Sequence, residues 1–309
     1  MSNTEFIPPR PLKTPVLFLI YKRLDTTKQV FQVIRQAKPP RLYIAADGPR
    51  ENIEGEAEKV KVVRDYVIKN IDWDCEVKTL FRDKNLGCGR AVSEAITWFF
   101  EHEEMGIILE DDCLPSLSFF WFCEELLERY KDDMRIFLIS GFNKQNKWKK
   151  YQASYFFSHF GGIWGWASWR RAWKHFDIDM KDIDDFIKLN HFENLLGKRL
   201  GKIRQKIIYN SINKLDIWDY QWAYARHKNN GLAIVPTVSL IENIGFGEDA
   251  THTFGDNPYN VKRHEIEFPL KHNPFIVPDR EYDELFLAES RISSRIKNKI
   301  RRLIKRLMK

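Results

Sequence analysis

GIILEDD, residues 106–112, runs from an apolar stretch straight into three adjacent acids, Glu110, Asp111 and Asp112. The apolar part has the length of one buried strand and is too short to cross a bilayer. Three like charges side by side cost free energy, and one helix-capping carboxylate would account for only one or two of them. A strand that ends in such a cluster predicts a ligand site at the strand's carboxyl end, with a divalent cation as the simplest way to relieve the repulsion.

Working outward, the same alternation recurs. PVLFLIY (15–21) reads as a buried strand, and the helical stretch that follows it stops at Pro39-Pro40. RLYIAAD (41–47) reads as a second strand ending in the Asp47-Gly48-Pro49 turn, with a charged helix over roughly 51–70 behind it. CEVKTLF (75–81), GIILE (106–110) and RIFLIS (135–140) are the third, fourth and fifth strands, with helical segments between them. Strands alternating with helices predict an α/β fold with a mostly parallel sheet flanked by helices. In such sheets ligands bind outside the carboxyl ends of the strands. Polar residues follow each strand there: Tyr21, Lys22 and Arg23, then Asp47, then Arg82 and Asn85, then the three acids. There is no G-x-G-x-x-G and no phosphate-binding P-loop.

Composition narrows the classes. With 309 residues, 43% apolar and 30% charged, the chain has material for a large α/β domain or two small ones. The four cysteines form no C-x-x-C pair, so no zinc site is expected, and reduced thiols fit a cytoplasmic protein. The first fifteen residues lack the apolar core of a signal peptide. The net charge of +7 is concentrated in residues 291–309, which hold nine Lys or Arg and no acid. On a helix, Ile292, Ile296, Ile300, Leu303, Ile304 and Leu307 share one face of this tail. An amphipathic helix on an anionic membrane surface is expected, against a helix docked on the body or a solvated tail. Nucleic acid is not expected as a partner, because no aromatic platform accompanies the basic residues.

The acid cluster and its surroundings resemble the nucleotide-sugar-binding half of the GT-A glycosyltransferase fold. The nearest likeness is to the N-acetylglucosaminyltransferase I-like group and bacterial sugar transferases, where the D-x-D-type motif reads E-D-D. The resemblance implies a nucleotide-sugar half over residues 1–145, an acceptor and catalytic half over 146–285, and the basic tail over 286–309. It implies Mn²⁺ or Mg²⁺ on Asp112, with Asp111 and Glu110 against ribose and sugar hydroxyls, and Tyr21 and Arg23 near the nucleotide or diphosphate. Asp47 would accept the N3–H of uracil, although the residues alone favour an ordinary Asp-Gly turn. RDKNLGCGRA (82–91) is similar to an R-x-x-N-x-G stretch, placing Arg82, Asn85 and Arg90 toward the donor, with Gly87 and Gly89 permitting close backbone approach. GGIWGWASW (161–169) resembles a segment lining the donor sugar, with Trp166 the chosen aromatic and Trp164 the other. WDYQW (218–222) supplies Asp219 as the expected base, with Asp216 behind it and helix capping as the plain alternative. His252 is a further expected metal ligand. The activity implied is transfer of a sugar, most simply from a UDP-sugar, to a glycan or lipid-linked acceptor with inversion. A nucleotidyltransferase or phosphohydrolase using the same acids is the alternative.

Overall fold

The computed structural model describes residues 6–149, 152–212, 216–246 and 261–288. The first half is β1 (Val16–Ile20), α1 (Leu24–Ala37), β2 (Arg41–Ala46), α2 (Glu56–Lys69), β3 (Glu76–Phe81), α3 (Gly87–His102) and β4 (Met105–Glu110). The second half is β5 (Cys113–Pro115), α4 (Ser118–Arg129), β6 (Ile136–Ser140), β7 (Tyr155–Ser158), β8 (Trp166–Trp169), α5 (Arg170–Trp173), α6 (Ile183–Lys188), α7 (His191–Leu196), α8 (Lys198–Ile212), α9 (Asp219–Lys228), β9 (Leu232–Pro236) and β10 (Ile241–Asn243). All five strands expected from sequence are present.

Eight strands form one sheet in the order β3-β2-β1-β4-β8-β6-β9-β7, so a single sheet draws strands from both halves of the chain. The first four are mutually parallel, and β6 runs parallel to β9. β8 lies antiparallel between β4 and β6, and β7 antiparallel beside β9. The fold is therefore mixed α/β with a mostly parallel central sheet, as expected.

β1 shows why both faces are covered. Alternate residues of a strand face opposite ways. Val16, Phe18 and Ile20 pack with Phe31 and Ile34 of α1 and with the aromatic face of α4. Leu17 and Leu19 pack on the other side, with Ile96 and Phe99 of α3 and Trp222 of α9. All five residues are buried, as a central parallel strand requires. β3 is an edge strand with half-exposed, charged positions, which discourage pairing with another chain.

The parallel register puts Ile20, Ala46 and Phe81 level with one another, and Leu19 level with Glu110. Every residue after these points emerges on the same sheet edge. β10 pairs with β5 just beyond it, carrying Asn243 alongside Cys113. No helix of the described residues is long and apolar enough to cross a membrane. The basic tail, 291–309, lies outside the described residues.

Candidate functional site

A cavity of about 470 Å³ opens at this edge. Its walls include Tyr21, Arg23, Asp47, Arg82, Asn85, Glu110, Asp111, Asp112 and Asp219, all expected from sequence. Residues separated by almost 200 positions thus meet in one concavity, because four parallel strands end there and α9 starts against them.

The acid cluster is organised around Arg23. Its Nη2 donates to Asp111 Oδ1 at 2.5 Å and to Asp112 Oδ2 at 2.9 Å. The Cys113 thiol donates to the other Asp112 oxygen at 3.3 Å. Asp111 is 4% exposed, and its Oδ2 is buried with no hydrogen-bond partner among the described residues. A buried carboxylate oxygen without a donor is costly unless a cation or hydroxyl reaches it. Burial, followed by the charges of Asp112 and Asp111, pushes the Glu110 carboxyl up, with Arg23 opposing and Asp219 adding a further push. Asp111 is also raised by burial, against the pull of Arg23.

A second network holds the other side of the mouth. Glu56, at the start of α2, is buried and takes three partners: Tyr21 Oη at 2.6 Å, Lys22 Nζ at 2.6 Å, and Arg50 through Nε at 2.9 Å and Nη2 at 2.6 Å. Asn85 Nδ2 donates to Tyr21 Oη at 3.1 Å and to the Gly48 carbonyl at 2.8 Å, joining the ends of β1, β2 and β3. Hydrogen bonds from Arg50 first, then Lys22 and Tyr21, hold the Glu56 carboxyl well below the usual carboxylate range. Its stabilising effect is therefore complete above about pH 4.5, where an unfolded glutamate is ionised, and fades as the pH falls toward the folded value. Glu56→Gln should lower Tm at pH 7 by about 3 °C, on the order of 2 kcal/mol for a buried charged hydrogen-bond centre. The gap from wild type should narrow in melts taken at successively lower pH below about 4.5.

Asp47 occupies the end of β2. Its carboxylate accepts the amides of Gly48 at 2.9 Å, Leu86 at 3.0 Å and Gly87 at 3.1 Å. It thereby fixes the approach to α3, and because the Leu86 amide reaches both oxygens, each oxygen already meets two amides. Arg82 pairs with Glu94 of α3 at 2.9 Å while lining the cavity.

Three expectations are corrected. Trp166 is fully buried in β8, stacked on Trp218 with ring centroids 5.9 Å apart, and does not reach the cavity. Gly165, at φ +59°, turns the chain between the two tryptophans, so Trp164 lines the cavity and Trp166 enters the core. Arg90 sits exposed on α3 and is not part of the cavity wall. Gly87 and Gly89 are closely approached, but by the Asp216 carboxylate: a Cβ at Gly87 would stand 2.2 Å from Asp216 Oδ2. His252 lies outside the described residues.

Asp219 is the first helical residue of α9, and Trp218 holds the N-cap position without a side-chain capping bond. Sequence reasoning missed Glu56, Arg50 and Trp218 as parts of the site. Glu56 stands among many charged residues of its segment, and nothing in a linear pattern marks which acid will be buried.

With every group ionised, six carboxylates (Asp47, Glu110, Asp111, Asp112, Asp216, Asp219) face four cations (Lys22, Arg23, Arg50, Arg82) across this cavity. The excess is two negative charges. Among the described residues no three of His, Cys, Asp and Glu are placed to enclose a metal by themselves. The hard oxygens of Asp111 and Asp112, with Asp111 Oδ2 lacking a hydrogen-bond partner, fit one side of a divalent cation that takes further oxygens from a bound ligand.

No family model and no curated protein matches the chain. Several solved structures do. HddC from Yersinia pseudotuberculosis overlaps 41% of this chain and 57% of its own, at 14% identity and a TM-score of 0.28. TarS 1–349 from S. aureus overlaps 74% of this chain and 59% of its own, at 10% identity and a TM-score of 0.41. An apo UDP-glucose pyrophosphorylase overlaps 74% of this chain and 93% of its own, at 9% identity and a TM-score of 0.34. The chain thus spans less than two thirds of the first two proteins. Overlaps this weak leave function to be read from the cavity's own residues.

Proposed function

We propose that the chain is a metal-dependent glycosyltransferase that binds a nucleotide-sugar, most simply a UDP-sugar, in the strand-end cavity and passes the sugar to a glycan or lipid-linked acceptor. The observation that carries the reading is the meeting of Arg23, the three acids and Asp219 in one cavity whose walls carry six acids and four basic groups. Such a cavity repels a diphosphate unless a divalent cation enters with it.

Asp112 and Asp111 would hold Mn²⁺ or Mg²⁺, which when bound neutralises charge building on a departing diphosphate. Arg23 orients those two carboxylates and presents its remaining donors to phosphate oxygens, a role suited to its planar fork. Lys22 and Arg50, held by Glu56, bring two cations against one carboxylate at the mouth and so favour an anionic ligand there. Asp47 would accept a nucleobase N–H in place of one of the two contacts it makes with the Leu86 amide. Trp164 offers an aromatic face to a sugar ring. Asp219, at the cavity wall, takes the proton of the acceptor hydroxyl as the anomeric centre inverts. A membrane-bound acceptor would suit the basic tail.

Thermal unfolding with UDP, GDP and ATP, each with and without Mn²⁺, tests the reading. UDP with Mn²⁺ at about 100 times its Kd should raise Tm by about 4 °C, and UDP alone far less. Equal responses to all three nucleotides, or none dependent on metal, would contradict it.

A further inference from the structure

We propose that Asp216 is a positioning residue that latches residues 216–218, just ahead of α9, onto the first turn of α3 and thereby sets Asp219 at the cavity wall. The proposal rests on the transferase reading of the cavity for its functional part.

The first-turn amides of a helix have no partners within the helix. In α3 the N-cap position is Leu86, whose side chain offers no cap. Two carboxylates from elsewhere serve instead. Asp47 takes the amides of Leu86 and Gly87, and Asp216 takes the next two: Cys88 N to Oδ2 at 2.6 Å and Gly89 N to Oδ1 at 2.8 Å. The Cys88 partner is 128 positions away along the chain. A local Ser, Asp or Asn would cap α3 equally well. A cap borrowed from so far away does something more: it ties the acceptor-side segment to the donor-side helix.

The surface of α3 is shaped for this contact. A Cβ at Gly89 would stand 2.7 Å from Asp216 Oδ1 and 3.0 Å from the Ile217 carbonyl. Negative charge at this helix end is also favoured by the aligned peptide dipoles. Two residues on, Trp218 is 3% exposed and stacked on Trp166. The segment is thus pinned twice, by a carboxylate on α3 and by an indole in the core, and Asp219 is the next residue. The sequence also offers Asp216 as a base, behind Asp219. With each oxygen bound to an amide, it serves better as the anchor of the base than as the base.

Asp216→Asn removes the charge and places an amide where two N–H groups need acceptors. Gly89→Ala acts from the other side. It leaves every charged group in place, favours helix in α3, and pushes residues 216 and 217 away. Hydrogen exchange measured on peptides covering 86–90 and 216–222 should accelerate at least tenfold in both variants. The kcat for transfer should fall 10- to 100-fold, with the donor KM within threefold of wild type. Unchanged exchange, accelerated exchange with unchanged kcat, or a KM that rises as much as kcat falls would each overturn the latch. Should the wild type transfer no sugar, the transferase reading falls. The exchange rates then still decide the latch, since acceleration in both variants supports it and its absence overturns it.

Discussion

Asp219→Asn should lower kcat for sugar transfer by about 10³-fold, within the range a positioned general base contributes, while UDP affinity stays within threefold. The expectation follows from where the carboxylate stands. Asp219 lines the cavity from the start of α9, on the wall built by the second half of the chain. The groups proposed to face the nucleotide, Arg23, Asp47 and Asn85, come from the strand ends of the first half. A base that touches the acceptor and not the donor should change the rate and spare donor binding. Asparagine keeps the shape and cannot take a proton. Single-turnover transfer beside UDP calorimetry measures both quantities. A loss of UDP affinity equal to the loss of rate would place Asp219 in donor binding instead.

Asp112→Asn should abolish the metal-dependent part of UDP binding, a drop of tenfold or more in affinity with Mn²⁺ present and little change without it. An amide oxygen is a weaker ligand for a hard cation than a carboxylate, and the substitution removes one acid from the cluster. The fold should survive. Arg23 retains Asp111, and the β5–β10 pairing that places the segment uses backbone groups. Removing the Asp112 charge also removes one of the forces that raise Glu110, so the cluster is relieved rather than strained. UDP titrations at fixed Mn²⁺ check this directly. An unchanged metal dependence would remove Asp112 from the ligand set.

The strand–helix alternation was legible because central parallel strands are buried on both faces and read as continuous apolar runs, as VLFLI of β1 does. The strand-end residues were legible for the same reason: where an apolar run breaks into Asp, Arg or Asn, the chain has left the sheet on its ligand-binding edge. What escaped depends on contacts distant in sequence. WASW looks like an aromatic lining, yet it forms β8 antiparallel between β4 and β6, and Trp166 is consumed by packing on Trp173, Trp218 and Trp222. The backbone reversal at Gly165 decides which tryptophan meets the cavity, and no periodicity encodes it. Arg90 follows the expected motif but points away, because helical geometry turns successive residues by about 100°. Glu56 reads as an ordinary surface acid, and Asp216 as a reserve base, until the fold supplies their partners on other elements.

The central claim is that the acid cluster is the metal and diphosphate end of a nucleotide-sugar site. A crystal of the full chain grown with UDP and Mn²⁺, with data collected for manganese anomalous scattering, tests it most directly. The account predicts one anomalous peak within coordination distance of an Asp112 or Asp111 oxygen and of the UDP diphosphate, with Arg23 turned toward phosphate. A peak elsewhere, or UDP bound in this cavity with no manganese at the acids, would contradict it.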